Sequence, residues 1–407
     1  MAKRVAVLGA GLQGACVAIA LAERGVSVDV YDREAEPLTQ ASAQNEGKIH
    51  LGYVYANDST RATARLMVEG ALSFAPLLRR WIGPAFDRVP VSSPFLYAVH
   101  RTSLLSPDAI FAHLKATHAL LVERGERRVD YLGRDALEPP CRLPSVAPGL
   151  SPDTIAAAFR TPELAIDPDA LARVVRGRLR ADPAIRLAMR TPVTGVDRTN
   201  GGAGVRFVVD GRPCHREYDH VVNALWDGRL AIDATAGLRP DRPWLFRVKH
   251  YLRVPAGDGT SRVPSVTIVL GPYGDTVAYE NGALYLSWYP VGMSGMSNGT
   301  QVPDWPRTLD AGEVERLRRG IWRGLAGVIP AVSRLTPAQV GNGEVQGGVI
   351  FAWGRTDIDD PVSGLHARSA IGPRSWGRYH SIDTGKLTVA PLFAERMAGR
   401  IANGSTA

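Results

Sequence analysis

Residues 4–34, RVAVLGAGLQGACVAIALAERGVSVDVYDRE, decide the fold class. Residues 5–8 are a short apolar run, and Gly9-Ala10-Gly11-Leu12-Gln13-Gly14 is a G-x-G-x-x-G turn. Residues 15–23, rich in Ala and Leu, read as a helix closed near Gly25. Val26, Val28 and Val30 alternate as a second strand that ends at Asp32. Strand, glycine turn, helix, strand and acid in this order are the opening unit of a dinucleotide-binding α/β domain. Gly9 permits the tight turn, Gly11 lets a pyrophosphate approach the backbone, and Gly14 lets the helix pack against the strand. The unpaired N–H groups of the new helix, at Leu12 and Gln13, face the phosphates. Asp32, with Arg33 beside it, sits where ribose hydroxyls are accepted and a 2′-phosphate is repelled. The turn by itself does not separate one dinucleotide from another.

The chain has 407 residues, enough for about two domains. Its 45% hydrophobic and 22% charged content is that of a globular protein. The net charge of +8 is scattered, with no basic stripe interleaved with aromatics, so no nucleic-acid partner is expected. Only Lys3, Lys48, Lys115, Lys249 and Lys386 are lysines; arginine supplies the other basic positions. Cys16, Cys141 and Cys214 form neither a disulfide framework nor a metal spacing, which fits a reduced, cytoplasmic protein with no metal. The apolar run after Met1-Ala-Lys-Arg superficially resembles a signal peptide, but the glycine turn inside it assigns it to the nucleotide-binding unit. No stretch has the length of a membrane span.

Downstream, helices are expected at 60–82, 107–123, 168–179, 311–326 and 387–402, the third started by Asp167-Pro168. Strands are expected at 89–99, at 185–209 as a pair around Asn200-Gly201-Gly202, and at 220–225. Further strands are expected at 244–255, within 264–290 with a hairpin at Asn281-Gly282, and at 349–353. Residues 134–152 read as a linker and Gly274-Asp275 as a turn. Parallel α/β segments thus alternate with antiparallel ones. The expected fold is α/β, a Rossmann-type nucleotide-binding domain interleaved with an antiparallel-sheet (α+β) substrate domain. The nucleotide-binding parts are 1–88, 155–235 and 341–407, the substrate parts 89–154 and 236–340, with a ligand cleft between the domains.

Two further motifs carry a family resemblance. One is Asn45-Glu46-Gly47-Lys48-Ile49-His50-Leu51-Gly52-Tyr53-Val54-Tyr55, and the other is Tyr379-His380-Ser381-Ile382-Asp383-Thr384-Gly385-Lys386-Leu387-Thr388. With the glycine turn, they make the chain resemble the FAD-dependent oxidoreductases of the D-amino-acid oxidase superfamily. The N-x-G-x-I-H-x-G segment is similar to that of the L-2-hydroxyglutarate dehydrogenase-like branch. The resemblance implies FAD as cofactor and an oxidase or dehydrogenase activity. Hydride would leave a carbon bearing an amine or a hydroxyl, as in an amino acid or a 2-hydroxy acid, for flavin N5. The final acceptor would be oxygen or another oxidant.

The resemblance also implies site residues. Asn45 and Gly47 would run along the flavin ring, with Gly52 likewise flat against it. His50 would take the substrate proton, and Lys48 would stabilise the reduced flavin or a substrate carboxylate. Gly385, Lys386 and Leu387 would place backbone N–H groups at the flavin pyrimidine. Val193 would meet adenine, and residues 221–224 the pyrophosphate. Pro162-Glu163 and Ile166-Asp167-Pro168 resemble the segment that opens the second nucleotide-domain helix. The alternatives are a His50 packed against backbone and a Lys48 solvated at the surface.

On the substrate side, Arg247, Lys249 and Tyr251 alternate on one strand face, with Tyr285 and Tyr289 nearby. Any of these, or Arg355 or Arg378, could clamp a carboxylate or phosphate; otherwise they are a solvated sheet edge. Two other readings of the whole chain are an NAD-binding dehydrogenase and a non-catalytic nucleotide-binding protein.

Overall fold

The computed structural model describes residues 3–124, 130–134, 137–144, 149–199, 201–303, 305, 308–357, 360, 362–365 and 367–404. Its organising layer is a six-stranded sheet. Arg4–Leu8 lies at the centre, parallel to His220–Asn223 on one side and Ser27–Tyr31 on the other. Ile185–Ala188 extends the sheet past Ser27–Tyr31, and the hairpin Gly372–Trp376/Tyr379–Asp383 extends it past His220–Asn223. The central strands are apolar on both faces because both are covered, one by helix Leu12–Ala22 and the other by the antiparallel strands Val193–Arg198, Ala203–Val209 and Arg212–Tyr218 with the short helix Arg229–Thr235. Helix Leu12–Ala22 is buried from Leu12 to Leu21, which is why its sequence carries no polar face. The C-terminal helix Ala390–Ala402 packs on it.

The second layer is a nine-stranded, mostly antiparallel sheet. Its spine is Trp244–Val254, paired along its length with Glu344–Trp353. On its other edge lie Met293–Ser297 and Leu284–Trp288, followed outward by Gly274–Ala278, Val266–Val269, Leu96–His100, Ile155–Arg160 and Cys141–Arg142. Helix Ala311–Val328 covers one face with Leu317, Ile321, Leu325 and Val328, and an Asp310–Glu313 capping box starts it.

Three sequence expectations change. Residues 185–209 hold three strands, not two. Ile185–Ala188 joins the parallel sheet, whereas Val193–Arg198 and Ala203–Val209 form a hairpin extended by Arg212–Tyr218. Arg190 at φ 54 and Pro192 separate them, and Asn200 lies outside the described residues. Ile155–Arg160 and Glu344–Trp353 were expected in nucleotide-binding parts, but both pair within the antiparallel sheet, which shifts the divisions at 154/155 and 340/341. Gly274-Asp275 begins a strand instead of making a turn: a Cβ on Gly274 would lie 1.8 Å from the Ser287 carbonyl oxygen, so the bare backbone is what lets the neighbouring strand close in.

One small element matters most for the site. Lys48–Ile49 and Leu164–Ala165 form a two-stranded antiparallel ribbon, with Lys48 opposite Ala165 and Ile49 opposite Leu164. The next position in that register sets His50 against Glu163. The buried Tyr131 hydroxyl locks the ribbon, donating to the Ile49 carbonyl at 2.6 Å and accepting from the Leu164 N–H at 2.9 Å. No described helix is long and apolar enough to cross a membrane.

Candidate active site

The glycine turn opens onto a groove lined by Gly9, Gly11, Asp32, Arg33 and Val193. Through Gly11, Ser42, Ala224, Trp226 and Val349 the groove continues into a solvent-open cleft enclosing about 1070 Å³. Gly11, Leu12, Gln13, Asn45, Lys48, His50, Gly385, Lys386 and Leu387 line that cleft, so the three sequence motifs meet there. Two side chains fasten them together. Gln13 donates to the Ala390 carbonyl at 3.1 Å and accepts from the Thr384 hydroxyl at 3.1 Å. The Thr388 hydroxyl accepts the His50 N–H at 2.9 Å.

In the groove, a Cβ on Gly9 would lie 2.7 Å from the Ala224 carbonyl oxygen, whereas one on Gly11 would meet only the Ser42 hydroxyl, at 3.0 Å. Asp32 accepts the N–H groups of Ala10 at 2.6 Å and Glu34 at 2.9 Å. Burial raises its pKa against those bonds. Arg33 reaches over to Asp227 at 2.7 Å, and both line the groove. Gly14 lines neither space: a Cβ there would lie 1.9 Å from the Gly9 carbonyl oxygen, so it shapes the turn from behind. Gly47, at φ 68, also stands off the cleft, packed against the Ile166 carbonyl, and Gly52 packs against Ala64. The Asn45 side chain accepts the Gly47 N–H and donates to the Ala41 and Ser42 carbonyls, so it holds the loop in shape.

In the cleft, Lys48 is 3% exposed and is no surface lysine. Its ammonium donates to the Thr267 hydroxyl at 2.5 Å, lies 3.4 Å from Asp275 and sits 4.4 Å over the Phe95 ring. His50 is buried too, and its Nδ1 has no hydrogen-bond partner among the described residues. That nitrogen lies 3.7 Å from Oε1 of Glu163, a carboxylate with 0% exposure. Burial, with Lys386 and Lys48 nearby, outweighs Glu163 and lowers the His50 pKa, so the ring is neutral near pH 7.

The substrate-side residues divide. Lys249, Tyr251, Tyr285 and Tyr289 line the cleft. A bulge in the pairing of Trp244–Val254 falls between Val248 and Lys249, a device that re-aims side chains. Lys249 Nζ stands 4.4 Å over the Tyr289 ring and 3.9 Å from Asp275. Tyr251 donates to Gln346 at 2.6 Å. Arg247 is buried but lies off the cleft, paired with Asp357. Arg378 bonds His220 away from the cleft, and Arg355 is exposed.

Four site residues escaped sequence reading. Glu163 and Glu46 stood inside quoted motifs without a role, and Asp275 was read as part of a turn. Arg368 lies in a loop with no periodicity; it donates to the Leu365 and Gly385 carbonyls and lines the cleft. Glu46 lines the cleft as well. Burial pushes its pKa up, but Lys249, Lys386 and Lys48 together pull it well below the usual carboxylate range. Burial, then Arg368, lowers the Lys386 pKa to about 8.

A family model described as FAD dependent oxidoreductase matches residues 4–368. The chain belongs to that family. It is an FAD-dependent oxidoreductase. Glycine oxidase from Geobacillus kaustophilus shares its fold at a TM-score of 0.67 and 15% identity, over 99% of this chain and 95% of that one. L-proline dehydrogenase from P. horikoshii does so at 0.67 and 16%, over 99% and 94%. L-alpha-glycerophosphate oxidase from Mycoplasma pneumoniae, solved with FAD bound, does so at 0.65 and 15%, over 99% and 95%. An 81-residue stretch is 40% identical to the tRNA 5-methylaminomethyl-2-thiouridine biosynthesis bifunctional protein MnmC of Chromohalobacter salexigens. That match spans 20% of this chain and 10% of that protein.

The oxidoreductase's residues fit FAD by shape. The groove that a Cβ on Gly11 would narrow could take the pyrophosphate, and Asp32 and Val193 line the same groove. The cleft joins the groove without a break, where a flavin ring could lie against Gly385, Lys386 and Leu387. Three of the chain's five lysines line this one cleft. A point charge on a flexible stem suits an anion that changes charge during a reaction.

Proposed function

We propose that this oxidoreductase oxidises a small anionic 2-hydroxy acid to the 2-oxo acid, with His50 accepting the hydroxyl proton. One observation carries the reading: a buried, neutral histidine lines the cleft with its far nitrogen turned to a buried carboxylate. A neutral imidazole takes a proton and an imidazolium cannot, so a lowered pKa suits a base. FAD, when bound, would supply the two-electron acceptor for the hydride of the hydroxyl-bearing carbon.

The chain's own residues supply the rest. Lys48, Lys249, Lys386 and Arg368 line the cleft against Glu46. Asp275 sits between Lys48 and Lys249, and Glu46 interacts most strongly with Lys249, so these two carboxylates offset those two lysines. Lys386 and Arg368 therefore remain to hold the substrate carboxylate and to balance the negative charge gained on reduction. Gly9, Gly11, Asp32 and Val193 hold the adenosine and pyrophosphate portion. With Cys16, Cys141 and Cys214 all free, a reducing cytoplasmic setting suits the chain.

Glu46 favours a second reading, an amino acid whose ammonium meets that carboxylate. The similar solved structures are named for both kinds of substrate, glycine and L-proline on one side and L-alpha-glycerophosphate on the other. Anaerobic bleaching of the bound flavin by matched pairs, such as lactate with alanine and 2-hydroxyglutarate with glutamate, tests the choice. Bleaching by hydroxy acids supports the proposal, and bleaching by amino acids alone overturns it.

A further inference from the structure

The ribbon that sets Ile49 opposite Leu164 brings His50 against Glu163. Glu163 has 0% exposure. An isolated buried carboxylate costs several kcal/mol unless its oxygens are satisfied. Its oxygens are occupied in an ordered way. Oε2 accepts the N–H of Leu51, the residue after His50, at 2.7 Å. Oε1 accepts the Tyr97 hydroxyl at 2.5 Å and faces His50 Nδ1 at 3.7 Å. Among the described residues Nδ1 has no other partner, and the His50 N–H is held by the Thr388 hydroxyl. The Tyr55 ring stands edge-on to the imidazole, 5.7 Å between centroids.

We infer that Glu163 is the positioning residue of His50: it holds the proton on Nδ1, leaves Nε2 as the base toward the cleft, and stabilises the imidazolium formed when the substrate proton arrives. This rests on His50 being the base. A ring nitrogen's tautomer is set by the partner of the other nitrogen. The two residues lie 113 positions apart in sequence, so only the fold pairs them. The charges facing His50 are Glu163 and Glu46 on the acidic side and Lys386 and Lys48 on the basic side, with Tyr55 at the ring edge. Glu163 raises the His50 pKa and both lysines lower it, so removing Glu163 has a defined sign.

The experiment is ¹⁵N-histidine NMR of the FAD-loaded full chain, with the His50 signal assigned by its absence in His50→Gln. In the wild type, His50 is expected as the Nδ1–H tautomer. In Glu163→Gln its pKa falls by about 1–3 units, the range for losing an opposite charge at this distance, and the tautomers mix. Glu163→Asp restores part of the shift. Tyr97→Phe, which leaves the carboxylate in place and more basic, moves the His50 pKa upward; it also serves if Glu163→Gln fails to load FAD. A His50 pKa and tautomer unmoved in both variants overturn the inference. Failure of the underlying proposal reads differently: His50→Gln would then retain the flavin reduction rate with the bleaching hydroxy acid, whatever Glu163 does to the ring.

Discussion

The Thr384 hydroxyl donates a hydrogen bond to the Gln13 side-chain oxygen, 3.1 Å long and spanning 371 positions. Gln13 is 6% exposed and also donates to the Ala390 carbonyl. One amide thus ties the start of the glycine-turn helix to the C-terminal segment, and with it the groove to the cleft. Thr384→Val removes the donor and leaves a buried oxygen unsatisfied, a cost of about 1–3 kcal/mol. The expected result is a lower Tm and FAD binding weaker by roughly tenfold, at about 1.4 kcal/mol per decade. Flavin retained after ultrafiltration measures it.

The turn glycines have separable jobs. An alanine at Gly14 meets the Gly9 carbonyl at 1.9 Å, so the turn itself must distort. An alanine at Gly11 meets only the Ser42 hydroxyl at 3.0 Å, and its methyl projects beside the groove. Gly14→Ala is expected to lose both thermal stability and flavin. Gly11→Ala is expected to keep its Tm without FAD and lose affinity for it. Apo-protein melting curves and FAD titration distinguish the two.

Lys48 and Asp275 form a buried pair between the ribbon and the antiparallel sheet, 3.4 Å apart. Lys48→Met strands Asp275 with only the more distant Lys249, at 3.9 Å. Breaking a buried pair costs about 3–5 kcal/mol, more than the pair itself contributes. The double variant Lys48→Met/Asp275→Asn should therefore be more stable than Lys48→Met alone in urea unfolding.

His220 and His380 share a proton site at 2.9 Å, at the amino end of the parallel strands. Burial, then Arg378, lowers the His220 pKa to about 4; burial, then His220, lowers that of His380 to about 3. Both lie below the unfolded value of about 6.5. Their contribution is therefore complete above pH 6.5 and is lost as pH falls through 6.5 toward 4 and 3, where the unfolded chain binds more protons. Tm should decline over that window, and His380→Asn should flatten the decline.

Lys386, with a pKa of about 8, is charged at pH 7 and neutral at pH 9. If it holds the substrate carboxylate, KM for the hydroxy acid rises as pH climbs through 8 while kcat changes less. Lys386→Arg, which stays charged, should remove that rise. A KM that is flat from pH 7 to 9.5 in the wild type would exclude Lys386 from substrate binding.

The opening strand–turn–helix–strand unit of the parallel sheet was legible because its signals are local, whereas the edge strands Ile185–Ala188 and Gly372–Trp376/Tyr379–Asp383 carry no such signal. A glycine turn, its flanking strands and Asp32 fall within 31 consecutive residues. His50, Lys48 and Lys386 stood out for a related reason, being polar residues embedded in recognisable segments. Glu163 and Asp275 were not legible as site residues because each gains its role from a partner far along the chain, Glu163 from His50 and Asp275 from Lys48, whereas Arg368 lies in a loop with no periodic pattern and is fixed there by the Gly385 carbonyl. Arg247 misled for the opposite reason. Strand alternation grouped it with Lys249 and Tyr251, but it does not line their cleft and pairs instead with Asp357 on a separate loop.

The measurement that bears most directly on His50 is stopped-flow reduction of the bound flavin by the bleaching 2-hydroxy acid, across pH, in wild type and His50→Gln. The wild-type rate should fall on the acidic side with a single limb as His50 becomes protonated. In His50→Gln the rate should drop by about 10²–10⁴-fold, the usual range for a lost general base, and the limb should vanish. A variant that keeps both the rate and the limb would contradict the assignment of His50 as the base.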